Sequence, residues 1–273
     1  MNSFEGAKVL VTGAASGIGR ASALHFAKRG ASVGLLGLRT AELESVAEEL
    51  SAFGVRAVVA EADVTDSELL HSAVAKVADE LGGLSCAVAA AGVAIKGTVT
   101  DGSEKDWHSN IAVNLTGVYH TARHTMPYLL EHGRSSFIAI SSDAGIRGSA
   151  GYSAYSASKH GVIGLVRCLA LDYGPRGVRS NVVCPSFVET PMADGLLAGD
   201  EKFGREFYER RVPLGRFARA DEVADAIGHL ASNQASYVNG MSYVIDGGLP
   251  RNLWGLGRRL RNASHNQIVT AEL

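Results

Sequence analysis

Lys8-Val9-Leu10-Val11-Thr12-Gly13-Ala14-Ala15-Ser16-Gly17-Ile18-Gly19 opens on a short apolar run, turns through three glycines and enters a helical pattern that continues to about Arg29. The stretch reads as strand, glycine-rich turn and helix. Its spacing, G-x-x-x-G-x-G, differs from the G-x-G-x-x-G of the standard dinucleotide fingerprint. The physics is shared. Gly13, Gly17 and Gly19 let the backbone turn tightly against a pyrophosphate, while Ser16 and Ile18 lie at the helix N-terminus, where free N–H groups face the ligand.

Outward from this turn, apolar runs and helical stretches alternate with a period of roughly 30 residues, as repeated βα units do. Strands are expected at Ser32–Leu36, Ala57–Ala60, Leu84–Ala89, Phe137–Ser141, Val178–Val183 and Ser242–Ile245. Helices are expected at Ala41–Leu50, Asp66–Leu81, Glu104–Glu131 (as one long helix), Tyr155–Tyr173 and Asp221–Leu230. The fold class is therefore α/β: a doubly wound, Rossmann-like, seven-stranded parallel sheet in a single domain over residues 1–249. Ligands of such a sheet bind at the carboxyl ends of its strands. Two segments depart from the pattern. A charge-rich insertion within residues 186–215 is a natural substrate lid, although a solvated helix pair has the same composition. Residues 250–273 form a C-terminal tail.

The 273 residues are 46% hydrophobic and 20% charged, with a net charge of −2, which gives no general pull toward nucleic acid or membranes. Cys86, Cys168 and Cys184 are widely spaced and odd in number, which suits free thiols in a reducing compartment. With neither a signal peptide nor an apolar stretch of about 18 residues, the expected location is cytoplasmic. Nine histidines are scattered; His120 and His124 are four apart on a helix but lack an evident third ligand, so no metal is expected.

Tyr155 and Lys159 are four apart and share one face of a helix. A free phenol has a pKa of about 10. A neighbouring ammonium and an oxidised nicotinamide would both favour the phenolate and lower that value. Ser142 closes the fifth strand, so its hydroxyl belongs to the same carboxyl edge as the glycine turn. After the second strand, Gly37 stands where a carboxylate would bind the ribose hydroxyl of NAD, and Arg39 follows, which tilts the cofactor toward NADP(H) over NAD(H). Arg39 could equally be an ordinary solvated residue opening the next helix. Asp63, next to Val64 after the third strand, could accept a bond from an adenine amino group or merely cap a turn, a role for which Asp66 competes.

Together, Thr12–Gly19, Ser142, Tyr155-x-x-x-Lys159, Asn181-Val182-Val183-Cys184-Pro185 and Ile245-Asp246-Gly247-Gly248 resemble the short-chain dehydrogenase/reductase family from about Gly6 to Gly248. The resemblance implies an NAD(P)-dependent oxidoreductase acting on a ketone/secondary alcohol pair, such as a ketoreductase. Tyr155 would be the general acid/base, Ser142 would bond the substrate oxygen, Lys159 would hold the nicotinamide ribose, and Asn114 would support a proton relay. It also places Ala91, Gly92, Pro185, Val188 and Thr190 against the cofactor. Asp143, Arg147 and Tyr152 fall in a stretch that lines the substrate cleft in relatives, with Phe187 and Met192 beside the lid. Arg147 could draw an anionic substrate group, or simply be solvated at the surface. A homo-oligomer, tetramer or dimer, packed through Glu104–Glu131 and Tyr155–Tyr173, is implied as well.

The chain departs from the family pattern in three places. Ala89-Ala90-Ala91-Gly92 replaces Asn-Asn-Ala-Gly, losing side-chain braces between strands. Ser186 replaces a glycine. Leu38 stands where NADP-preferring relatives often carry arginine. A non-catalytic dinucleotide sensor on the same fold remains the alternative function.

Overall fold

The computed structural model describes residues 3–198 and 204–249. The expected tail at 250–273 and residues 199–203 of the expected lid lie outside the described residues.

The chain begins with β1 (Lys8–Thr12), α1 (Gly17–Ala27), β2 (Ser32–Gly37), α2 (Thr40–Ser51), β3 (Ala57–Glu61), α3 (Ser67–Leu81) and β4 (Cys86–Ala89). It continues through α4 (Glu104–Ile111), α5 (Gly117–His132), β5 (Ser135–Ile140), the short α6 (Ala144–Arg147), α7 (Ser153–Tyr173) and β6 (Val178–Pro185). A two-residue strand β7 (Val188–Glu189), α8 (Pro191–Ala198), α9 (Arg205–Glu209) and β8 (Ala218–Arg219) form the insertion, and α10 (Ala220–Ala231) and β9 (Ser242–Ile245) close the fold. Seven strands form one sheet in the order β3-β2-β1-β4-β5-β6-β9, every pair parallel. The chain winds outward from β1 to β3 and then returns to place β4 on the other side of β1. The crevice at that reversal is the expected ligand site of such a sheet.

Both faces of the sheet are covered, which is why its strands are nearly continuous runs of Val, Leu, Ile and Ala. On one face α3, α5 and α7 contribute Leu70, Val74, Leu129, Val162 and Val166 to a core with Leu10, Phe137 and Val182. On the other, α1, α2 and α10 pack Phe26, Leu43, Leu50, Val223 and Ile227 against Val9, Val33 and Ile138. Helix ends follow local chemistry: the Asp66 carboxylate caps α3 by accepting from the Glu68 and Leu69 amides, and Gly82 closes it in the left-handed region.

One expectation needs correction. The segment expected as a single helix over Glu104–Glu131 is α4 and α5 joined by one wide π-turn, Ala112–Thr116. An added residue in a helical turn pushes a side chain out of the regular register, and such turns gather at functional sites. Asn114 sits in this one.

Candidate active site

The turn after β1 fits a dinucleotide. Gly13 has φ +67° and an added Cβ would lie 2.8 Å from Ala91 Cα, so only glycine lets the turn approach the β4 loop this closely. Ser16 holds the N-cap position in an extended conformation without its hydroxyl capping the helix, which leaves the first amides of α1, including those of Gly17, Ile18 and Gly19, to a ligand. Thr190, after β7, brings its methyl against Gly17 and its hydroxyl to Val188 O at 3.3 Å. Pro185, the last residue of β6, pairs with Ile245 and accepts the Asp143 amide at 2.8 Å.

Beyond β4, the loss of asparagine braces is offset by another side chain. The Thr12 hydroxyl accepts from the amides of Ala90 and Ala91 at 3.2 and 3.4 Å. The loop is then held from the helix side. Asn114 donates to Val93 O and accepts from Val93 N, both at 2.8 Å, and Asn110, one turn earlier, pairs the same way with Ile95. Gly92 lies so close to this brace that an added Cβ would come within 3.2 Å of Asn114 Oδ1 and 3.5 Å of Lys159 Nζ.

Ser142, Tyr155 and Lys159 meet at the carboxyl edge of β5. Lys159 is fully enclosed; its Nζ donates to Ile140 O at 2.9 Å and stands 5.7 Å from the Tyr155 ring centre. Burial lowers its pKa to about 8, and the neighbouring Cys184 opposes the fall. Tyr155 stays partly exposed to the cleft. Protein packed around it nevertheless pushes its phenol up to about 12, chiefly through burial, with the Ser142 hydroxyl opposing and Asp143 and Tyr152 adding to the rise. The expected lowering by Lys159 is not found among the protein groups. At that distance, and with one N–H directed at Ile140 O, the ammonium does not offset the lost hydration of a phenolate.

The residues expected to line the substrate cleft divide. Tyr152 packs edge-on to Tyr155 with ring centres 6.3 Å apart. Met192 is exposed on α8. Phe187 stacks on Phe217, with centres 4.9 Å and planes 14° apart, and meets Tyr208 of α9 at 4.9 Å. The three rings tie the start of the insertion to α9 and to the residue before β8. Asp143 accepts from Ser142 Oγ and pairs with Arg147, whose guanidinium also reaches Leu249 O. Arg147 is thus engaged within the protein.

The remaining expected cofactor positions follow β2 and β3. Arg39 is two-thirds exposed and bridges to Glu42 at 2.7 Å. Asp63 caps its own turn through Thr65, both bonds falling on Oδ1. Val64 is buried beneath Gly117, and its carbonyl meets His120 Nδ1 at 2.9 Å. His124 turns to Ser67. The sequence reading missed Thr12, Asn110 and the Asp143–Arg147 pair. Asn110 carried a signal in its four-residue spacing from Asn114, as did Asp143 and Arg147 in theirs.

A doubly wound parallel sheet with a glycine turn and a Ser–Tyr–Lys cluster at its carboxyl edge defines a nucleotide-dependent oxidoreductase. The chain belongs to the short-chain dehydrogenase/reductase family: the family model described as Enoyl-(Acyl carrier protein) reductase matches residues 13–250. It is similar to the 3-oxoacyl-[acyl-carrier-protein] reductase FabG of Thermotoga maritima, 39% identical over 246 residues, covering 90% of this chain and 98% of that protein. It is also similar to the cis-4-hydroxycyclohexanecarboxylate dehydrogenase of Sinomonas cyclohexanicum, 39% identical over 240 residues, covering 88% and 94%. Among solved structures, the 3-ketoacyl-(acyl-carrier-protein) reductase of Brucella melitensis complexed with NADH superposes with a TM-score of 0.83 at 29% identity, over 90% of this chain and 99% of that one. The chain is accordingly an NAD(P)-dependent short-chain dehydrogenase/reductase, which displaces the sensor alternative. Among the described residues no helix is long and apolar enough to cross a membrane.

Proposed function

We propose that the chain interconverts a ketone and a secondary alcohol with Tyr155 as general acid/base. The observation that carries this reading is the convergence of Ser142, Tyr155 and Lys159 beside the dinucleotide turn. The nicotinamide, when bound, supplies or takes the hydride. Tyr155 gives its proton to the carbonyl oxygen on reduction and takes one from the hydroxyl on oxidation. Ser142 bonds the substrate oxygen. Lys159 holds the ribose hydroxyls, and the Asn114 brace keeps Gly92 and the β4 loop against it. Gly13, Ser16, Gly17, Ile18 and Gly19 take the pyrophosphate. Asp63, Val64 and Ala91 serve the adenosine side; Pro185, Val188 and Thr190 serve the carboxamide side.

Residues 186–215 act as the substrate lid, with Tyr152 and Met192 at the cleft. NADP(H) is the preferred cofactor, because β2 ends on Gly37 without a carboxylate and Arg39 is exposed at the start of α2. A homo-oligomer forms through α5 and α7.

The test is turnover of a panel of linear and cyclic ketones and secondary alcohols by the wild type and Tyr155→Phe. The variant is expected to lose at least about 10²-fold in kcat while binding cofactor as before. Turnover retained by Tyr155→Phe would overturn the assignment.

A further inference from the structure

Asp143 follows Ser142 in the turn from β5 to α6, and both act on Tyr155. Ser142 Oγ donates to Asp143 Oδ1 at 2.9 Å, and the Ala144 amide donates to Ser142 Oγ at 3.1 Å and to Asp143 Oδ1 at 2.8 Å. The other carboxylate oxygen is held by Arg147 across one turn of α6, with side chains 21% and 12% exposed for Asp143 and Arg147. The Asp143 amide is tied to Pro185 O, and Arg147 also donates to Leu249 O at 3.5 Å, so the pair is fixed from β6 and from the segment after β9.

An ionised carboxylate accepts hydrogen bonds and has no proton to give. The Ser142 hydroxyl has one hydrogen, for which Asp143 and Tyr155 compete: donated to Tyr155 it supports the phenolate, whereas donated to Asp143 Oδ1 that support is withdrawn and the protonated phenol gains. The charge of Asp143 acts in the same direction, and the guanidinium of Arg147 limits it.

Resting on the assignment of Tyr155 above, we propose that Asp143 is a positioning residue whose carboxylate draws the Ser142 hydroxyl proton away from Tyr155, with Arg147 as the counter-charge that sets how strongly it does so. The pair fixes the pH at which Tyr155 exchanges its proton with substrate. The other ionisable groups around Tyr155 are Tyr152 and Lys159 on its own segment; Cys184 of β6 lies toward Asp143 and Lys159.

The experiment is the pH profile of kcat/KM for oxidation of the best secondary alcohol in the panel. Asp143→Asn is expected to move the acid limb down by about 0.5 to 1 unit, and Arg147→Gln to move it up by a similar amount. A purely structural role would lower activity in both variants without opposite shifts. Limbs that stay in place, or move in the same direction, would sink the proposal. If Asp143→Asn fails to fold, the upward shift in Arg147→Gln decides alone. Turnover by Tyr155→Phe would instead remove the underlying assignment. An inactive Tyr155→Phe with unshifted limbs would remove only the role of Asp143.

Discussion

Asn114 clamps Val93 by both backbone groups, its amide donating to the Val93 carbonyl and its oxygen accepting from the Val93 amide, each at 2.8 Å. The same side chain donates to Ser158 Oγ at 3.1 Å, so a single buried amide ties the β4 loop to α7. The π-turn makes this reach possible.

Asn114→Ala leaves the Val93 groups without their partner in a largely enclosed site, a loss of about 1–3 kcal/mol. We expect the Tm to fall by several degrees and kcat by at least about 10-fold, because Lys159 and Gly92 lose their common brace. Asn114→Asp cannot donate to Val93 O or Ser158 Oγ and does not rescue. Calorimetry with turnover checks both effects; an unchanged Tm would show the clamp to be dispensable.

Lys159 shows its burial in the pH dependence of stability. Its folded pKa is lowered from 10.5 to about 8, so between those values the unfolded chain binds more protons than the folded one. Stability from this group is fully present above 10.5 and is lost as the pH falls toward 8. Lys159→Met, which lacks this dependence, should compare best with the wild type near and below pH 8 and lose ground toward pH 10.5. Thermal melts across that range measure it. A difference in Tm that stays flat with pH would contradict the buried ammonium.

Cofactor preference turns on Arg39. Its bridge to Glu42 is exposed and therefore worth no more than about 1 kcal/mol, so a 2′-phosphate can displace the carboxylate. Arg39→Ala is expected to weaken NADPH binding about 10-fold and leave NADH binding nearly unchanged. Separate titrations decide; a wild type that prefers NADH, with no change in the variant, removes the NADP(H) assignment.

The face shared by α5 and α7 carries a groove lined by Tyr119, Met126, Leu165, Cys168 and Tyr173. Placing a charge there with Cys168→Arg should lower the mass seen by light scattering. A wild-type chain that is already monomeric at micromolar concentration would remove the oligomer from the account.

Local rules were enough for much of this protein. The strand–turn–helix at Lys8–Arg29, the alternation of βα units and the shared face of Tyr155 and Lys159 depend on periodicity and on glycine geometry, which act over a few residues and are written in order along the chain. The pairings that shape the site are of another kind. Thr12 reaches Ala90, Asn114 reaches Val93, Arg147 reaches past β9, and Phe187 reaches Phe217 and Tyr208. Each depends on which surfaces the sheet brings together and on buried polar groups finding partners across long stretches of chain. The direction of the Tyr155 shift belongs with them, because the exclusion of water around a phenol is a property of the packed site rather than of any motif.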